Sequence, residues 1–199
     1  MKKILIIIIL INTLNQCNSQ SNQKMKIDPL DKKFELIYPE KAQRISIEGD
    51  KKTIYISSKV GYNLTSYYNN SFFMQVKNYY PSRNIENKGI AFNEGAPIGI
   101  WYYFDESGKL IKEENTDDGY DFTPKDVVKY CESHKIKLPK GYQDSGYKTS
   151  VYKKEIEGKK VWQISYVIAV GKEEFIEEII LDGKTGKLIK KKQVSYINN

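Results

Sequence analysis

The sequence predicts an α+β protein built mainly from antiparallel strands, and three observations carry that prediction. Short runs rich in β-branched and aromatic residues fill residues 33–114, and turn residues such as Gly49-Asp50 and Ser107-Gly108 separate them. One segment, beginning at Thr123, carries the signals of an amphipathic helix, and four strand-like runs follow it. We therefore expect an N-terminal β meander of hairpins, followed by one helix packed on a four-stranded antiparallel sheet.

Composition and charge exclude several classes of protein. The 199 residues are 40% hydrophobic and 29% charged, which is typical of a globular protein and unlike disordered, collagen-like or polytopic membrane chains. The net charge of +7 comes from lysines that are spread along the chain beside acidic residues. Nucleic-acid binders concentrate such charge in one stripe, so we expect no nucleic-acid partner.

The N-terminus predicts secretion and a lipid anchor. Two lysines precede the apolar run Ile4 to Ile11, which is too short to cross about 30 Å of hydrocarbon and is typical of a signal peptide over residues 1–16. Leu14-Asn15-Gln16-Cys17 resembles the lipobox of bacterial lipoproteins. The resemblance implies cleavage before Cys17 and a lipid on that residue. The protein would then face the periplasm from a membrane of the cell envelope, expected to be the outer membrane. Asn18 to Lys24 contains no apolar residue, so we expect a flexible tether over residues 17–32.

The segment 33–115 is expected to form the first domain, an antiparallel β domain. Isoleucines at 45, 47, 54 and 56 alternate with polar residues, which predicts that the isoleucine side of the sheet is packed and the other side is in water. The segment also contains a weak repeat, because Tyr79 to Ile85 can be laid on Tyr103 to Leu110 at an offset of 24 to 25 residues. A repeat of this length is one hairpin.

The second unit of this repeat is similar to a known one. Gly95 to Leu110, with its strand Trp101-Tyr102-Tyr103, resembles the MORN-like repeat of bacterial antitoxin-like and envelope proteins. The resemblance implies a binding role, in the antitoxin-like case the neutralisation of a toxin.

Tyrosines point to the same role. The chain has 16 of them, several in adjacent pairs, and adjacent residues of a strand face opposite sides of the sheet. One ring of each pair therefore lies on the outside or at the rim of the sheet. Exposed tyrosine is enriched at protein interfaces, but it also occurs on ordinary sheet surfaces that bind no partner. The candidate partner-binding residues are Tyr79, Tyr80, Trp101, Tyr102 and Tyr103.

Residues 122–199 are expected to form the second domain. Thr123 is suited to the N-cap of the helix, Pro124 to its first position, and Asp126 to the acid of a capping box. The following strands contain alternating apolar residues at Trp162, Ile164 and Tyr166. Basic residues over 184–192 follow acidic residues over 173–178, so the last two strands are expected to pair across a sheet face. In the hairpin loop between them, Gly186 is suited to the left-handed position of a bulged turn.

One helix followed by such a meander, with this turn over 182–186, resembles the PepSY family and its cystatin-like relatives. That resemblance implies inhibition of a peptidase as an alternative role.

No catalytic, metal or cofactor site is predicted. His134 is the only histidine, which excludes His-based triads, and Cys131 beside it is expected to be structural. The acidic residues around Gly119 do not fit a calcium-binding loop and are interpreted as a solvated linker. We therefore expect a non-enzymatic, lipid-anchored envelope protein that acts as a protein-binding module. The alternatives are a peptidase inhibitor of the PepSY type, a passive structural lipoprotein, and a hydrolase that uses scattered carboxylates.

Overall fold

A computed structural model describes residues 27, 30–37 and 45–196. The predicted signal peptide, Cys17 and most of the predicted tether lie outside the described residues. Within the described part of the chain, none of the helices has the length and apolar character needed to cross a membrane.

The first sheet contains seven strands, and each pairs antiparallel with the strand that precedes it in the chain, so the predicted meander is confirmed. Its turns are short and contain the expected turn residues, among them Gly49 and Gly108, which both have positive φ. The strands are β1 (Ile45–Glu48), β2 (Lys51–Ser58), β3 (Gly61–Tyr68), β4 (Phe73–Tyr79), β5 (Ile85–Phe92), β6 (Pro97–Phe104) and β7 (Leu110–Asn115).

Two hairpin turns of this sheet share one geometry, at the positions where the sequence repeats. In the β4–β5 turn the Tyr80 N–H donates to the carbonyl of Asn84, and in the β6–β7 turn the Asp105 N–H donates to that of Lys109. The fourth residue of each turn has positive φ, 74° at Arg83 and 86° at Gly108. Arginine rarely adopts this conformation, so Arg83 is strained where its counterpart is glycine.

The seven-stranded sheet has one face that holds the core and one that does not, but the packed side is not the one expected. Ile45, Ile47 and Ile56 are 48%, 71% and 57% exposed. The core lies on the side of Tyr55 and Leu64, which belong to a cluster built around other buried residues of the sheet. Alternation reveals that a strand has two different faces, but it does not identify the face that another part of the chain, here residues 30–37, comes to cover.

The second sheet contains four antiparallel strands in the order β11-β10-β9-β8. The opposite charges of its last two strands pair as expected, since Lys191 Nζ lies 2.6 Å from Glu177 and Lys192 Nζ 2.8 Å from Glu178. Gly186, in the hairpin between them, has the predicted left-handed conformation at φ 68°. The strands are β8 (Ser150–Ile156), β9 (Lys159–Val170), β10 (Glu173–Asp182) and β11 (Leu188–Ser195).

The helix α1 (Pro124–Ser133) begins as the sequence predicts. Thr123 is the N-cap, and its side chain and that of Asp126 form both hydrogen bonds of the capping box. Val127 and Cys131 of this helix are fully buried and share a hydrophobic cluster with Trp162 and Ile164 of β9.

The same cluster also contains residues of the first sheet. Phe73 and Phe92 belong to it, and the Phe92 ring centroid lies 6.0 Å from that of Trp162. The backbone adds two hydrogen bonds, from Ala96 N–H to Val151 O and from Val151 N–H to Glu94 O. The segments 33–115 and 122–199 therefore share one core, and their division into two domains stays a prediction.

Candidate interaction surface

One face of the seven-stranded sheet lies outside both hydrophobic clusters of the described residues, and we call it the open face. The strand register and the alternation of side chains assign its members. They include Ile45, Ile47, Ile54, Ile56, Asn63, Thr65, Val76, Asn78, Asn87, Trp101 and Tyr103. Apart from glycines and Ala91, the buried residues of β3 to β6 belong to the opposite face, which we call the covered face.

Three asparagines form a ladder across the middle of the open face. Asn63, Asn78 and Asn87 are direct neighbours on β3, β4 and β5. Asn63 Nδ2 donates to Asn78 Oδ1 at 2.8 Å, and Asn78 Nδ2 donates to Asn87 Oδ1 at 2.7 Å. Each amide is therefore held in one orientation by its neighbour, and the remaining donors and acceptors of the ladder have fixed positions.

Trp101 lies next to this ladder, and its indole ring packs directly against Gly89, which has no side chain in the way. A Cβ atom built on Gly89 would lie 2.1 Å from the indole ring, so only glycine permits this contact. The indole Nε1–H donates to the Ile90 carbonyl at 3.0 Å. The ring thus lies flat on the sheet with its polar atom satisfied, and it remains partly exposed.

Tyr103 continues the row of the asparagine ladder on β6. Its neighbour on β5 is Asn87, and its hydroxyl donates to Glu114 Oε2 at 2.8 Å. Lys112 lies beside it with Nζ 5.1 Å from the ring centroid. Desolvation, followed by the hydrogen bond to Glu114, raises the pKa of Tyr103 to about 12, so the phenol keeps its proton at neutral pH.

The other predicted partner-binding residues lie elsewhere. Tyr102 is directed to the covered face, where it packs against the cluster that contains Tyr79 and Phe104. Tyr79 is only 4% exposed, and desolvation is the largest cause of its raised pKa. Tyr80, which follows β4, donates its hydroxyl to the Phe104 carbonyl at 2.8 Å. The structure therefore brings Trp101 and Tyr103 together on the open face and separates them from the remaining three.

An ion cluster that no sequence pattern indicated lies on the covered face. The segment 30–37, which we call the strap, runs across this face, and Glu35 of the strap lies between two lysines of the sheet. Lys88 Nζ, whose side chain is 0% exposed, lies 2.6 Å from Glu35 Oε1, and Lys77 Nζ lies 2.5 Å from Glu35 Oε2. Burial raises the pKa of Glu35, but the hydrogen bonds from the two lysines outweigh it and the net shift is downward.

A second buried lysine joins the two sheets. Lys153 of β8 donates to the carbonyls of Pro97 and Thr116 at 2.9 and 2.7 Å and forms an ion pair with Asp117. Asp117 also accepts a hydrogen bond from the Gly99 N–H at 2.9 Å. The expectation of a solvated linker is therefore wrong for Asp117, because Lys153 reaches it from a strand that is distant in the sequence.

Cys131 and His134, which the sequence offers as candidates for chemistry, lie in different surroundings. Cys131 is completely buried, and desolvation raises its thiol pKa to about 12, which keeps it protonated and unreactive. His134 is exposed and stacks on the ring of Tyr130 with centroids 4.0 Å apart. Within the described residues, no group of three or more His, Cys, Asp or Glu side chains is placed to hold a metal ion.

The open face could have been found from the sequence by placing the turns first. Turns centred near residues 70 and 82 put Asn63 opposite Asn78 and Asn78 opposite Asn87. Asparagine is uncommon in strands, so three of them in one row form an unusual signal. No protein-family model, curated protein or solved structure matches the chain, so the interpretation of this face rests on its own geometry.

Proposed function

We propose that the chain is a non-enzymatic binding module that recognises a protein partner through the open face. The observation that carries this proposal is the sidedness of the seven-stranded sheet. One face is packed against the strap and the core around α1, while the other presents isoleucines, an asparagine ladder and two fixed aromatic rings. Such a mixture of apolar, amide and aromatic groups is typical of protein interfaces.

The rigidity of the face supports this role. Trp101 and Tyr103 each have a hydrogen bond that fixes the ring, and the asparagine amides are fixed by one another. Groups that are already ordered lose little conformational entropy when a partner binds. Trp and Tyr are also the residues that most often dominate binding energy at interfaces.

The cellular setting is part of the proposal and rests on the sequence. A lipid on Cys17 would hold the protein at the envelope membrane, where the open face meets periplasmic partners. The resemblance of residues 95–110 to MORN-like repeats favours an antitoxin-like partner protein, and the shared hairpin geometry of the β4–β5 and β6–β7 turns agrees with a repeat. We further propose that α1 docks on the second sheet, as in PepSY-like domains, because Val127 and Trp162 share a cluster.

Site-specific photo-crosslinking in the cells that make the protein tests the proposal. A benzophenone amino acid is placed at Ile56 and at Tyr103, which lie on the open face in distant strands, and at Tyr152 as a control. Tyr152 is 46% exposed but belongs to the second sheet. We expect one and the same protein to be crosslinked from both open-face positions and to be absent from the control.

A second variant separates the open face from the alternatives. Tyr103→Ser removes a ring from the open face and should abolish the crosslink from Ile56. Crosslinks that arise only from Tyr152, or that survive Tyr103→Ser unchanged, would contradict the proposed surface. In that case a binding role of the second sheet, as a PepSY-like inhibitor requires, becomes the better explanation.

A further inference from the structure

A cavity of about 780 Å³ lies beside the C-terminal end of α1, away from the open face. The helix end, the following segment 135–140 and the loop 143–149 enclose it. Its apolar wall is formed by Phe72, Ile136, Leu138 and Val167. The volume falls within the range of about 300 to 1,000 Å³ that is usual for small-molecule sites.

The mouth of the cavity is basic. Lys135, Lys137 and Lys140 line it, and within the described part of the chain no carboxylate forms an ion pair with any of these three. Lys148 also lines the cavity but is paired with Glu94 at 3.0 Å, and Glu132 is the one acidic residue in the lining. The cavity therefore combines an apolar interior with an excess of positive charge at its entrance.

The wall of the cavity is held in place by hydrogen bonds. Asn93, which is 3% exposed, donates from Nδ2 to Pro139 O at 3.0 Å and to Ser71 O at 2.7 Å. The Gly141 N–H donates to the same Ser71 carbonyl at 3.0 Å. Lys140 Nζ lies 4.8 Å from the centroid of the Phe72 ring, which places a cation directly at the edge of the apolar wall. Hydrogen bonds within the fold therefore hold the wall of the cavity in position.

We propose that this cavity binds a small anionic amphiphile with a single carboxylate and an apolar body, of the kind represented by a medium-chain fatty acid. The apolar chain is buried against Phe72, Ile136 and Leu138, and the carboxylate stays at the mouth beside Lys137 and Lys140. A neutral apolar ligand would use the wall but leave the lysines unmatched. This role is independent of the open face, because no open-face residue lines the cavity.

Fluorescence titration with anilinonaphthalene sulfonate, an anionic probe with an apolar body, tests the proposal on the purified protein. We expect saturable binding that laurate displaces and that dodecanol, its neutral counterpart, does not. Replacing both Lys137→Glu and Lys140→Glu should weaken binding of the probe by about tenfold or more, since two charges beside the anion are reversed. The matched control is Lys184→Glu with Lys187→Glu in the β10–β11 hairpin, which makes the same charge change far from the cavity and should leave binding intact.

Each of three results would overturn the proposal. Binding of the probe could fail to saturate, the two double variants could weaken binding of the probe equally, or dodecanol could displace the probe as well as laurate does. The second result would show that only the net charge of the protein matters, and the third that the site selects for apolar character alone. Both double variants are also unfolded in urea as a control. If their midpoints equal that of the wild type, a loss of probe binding is due to the cavity and not to a loss of the fold.

Discussion

The ion cluster beneath the strap offers the sharpest test of the structure. Glu35→Gln keeps the shape of the side chain but removes the negative charge that faces two lysines. Lys88 would then face a neutral amide oxygen in place of this carboxylate, and it would keep the Lys33 carbonyl at 2.8 Å and the Asp31 carboxylate at 3.5 Å. Because the Lys88 side chain is fully buried, water cannot replace the lost partner.

The size of the effect follows from the burial of this pair. Removing one partner of a fully buried ion pair costs about 3 to 5 kcal/mol; because the Glu35 side chain is 28% exposed and Lys88 keeps the Lys33 carbonyl, the expected loss is about 2 to 3 kcal/mol. A domain has only about 5 to 15 kcal/mol of stability, so this loss is large. The matched control is Glu113→Gln, which breaks an exposed pair with Lys32 at 3.4 Å and should cost about 1 kcal/mol or less.

The pH dependence provides a second, independent readout. The pKa of Glu35 is lowered in the folded protein from an ordinary value of 4.5, so its stabilising effect is present above that pH and is lost as the pH falls through the folded pKa. The wild type and Glu35→Gln should therefore differ in unfolding free energy at pH 7, and this difference should shrink as the pH is lowered from 4.5 towards 3.

Urea unfolding at the two pH values measures both effects. A difference at pH 7 no larger than that of Glu113→Gln would show that the Glu35 pair is not buried as described. A difference at pH 7 that persists unchanged at pH 3 would show that the charge of Glu35 is not its cause. Replacing both partners, with Glu35→Gln and Lys88→Met together, should recover part of the stability lost in the single variant, because the fully buried charge of Lys88 is removed and only Lys77, whose side chain is 21% exposed, is left without its carboxylate.

Three further predictions concern the anchor, the helix and the open face. Metabolic labelling with a palmitate analogue should mark the wild type and not Cys17→Ser, and label retained by the variant would contradict the anchor. Trp162→Ala should cost about 3 to 5 kcal/mol in urea unfolding, against about 0.5 to 2 for Thr123→Ala at the helix cap, while small and equal losses would mean that the helix is not docked. Gly89→Ala should push the indole of Trp101 off the sheet, at a cost of about 1 to 3 kcal/mol and with red-shifted tryptophan fluorescence; an unchanged spectrum would show that the ring does not lie on Gly89.

Local signals were enough to predict the elements of the fold. The cap at Thr123, the left-handed Gly186 and the turn at Ser107-Gly108 each depend on the conformational preferences of a few adjacent residues, and a single sequence contains those preferences. Strand alternation likewise revealed two faces for every strand. It did not identify the covered one, because the strap that covers part of it comes from elsewhere in the chain.

Long-range polar contacts were beyond such reasoning. Lys88 stands in a polar stretch that resembles any exposed strand, and its partner Glu35 is 53 residues away. Lys153 and Asp117 are 36 residues apart and lie in different parts of the fold. A lysine can be buried when the fold places an ion-pair partner next to it. That partner is distant in the sequence, so no local sequence pattern predicts the burial. Trp101 and Tyr103 of the candidate surface could be predicted because they are aromatic residues in a strand. The neighbouring asparagines can be assigned to the same surface only when the register of the strand pairing is known.

The position of the strap has a mechanical consequence for an anchored protein. Ile27 packs against the core cluster around α1, and the strap follows it along the chain. The strap is attached through the ion contacts of Glu35 and through the backbone hydrogen bonds from Ile37 N–H to Arg83 O and from Ile85 N–H to Glu35 O. If a lipid on Cys17 anchors the protein, a pull from the membrane would therefore load Ile27 and the strap before it loads β1, the first strand of the open face.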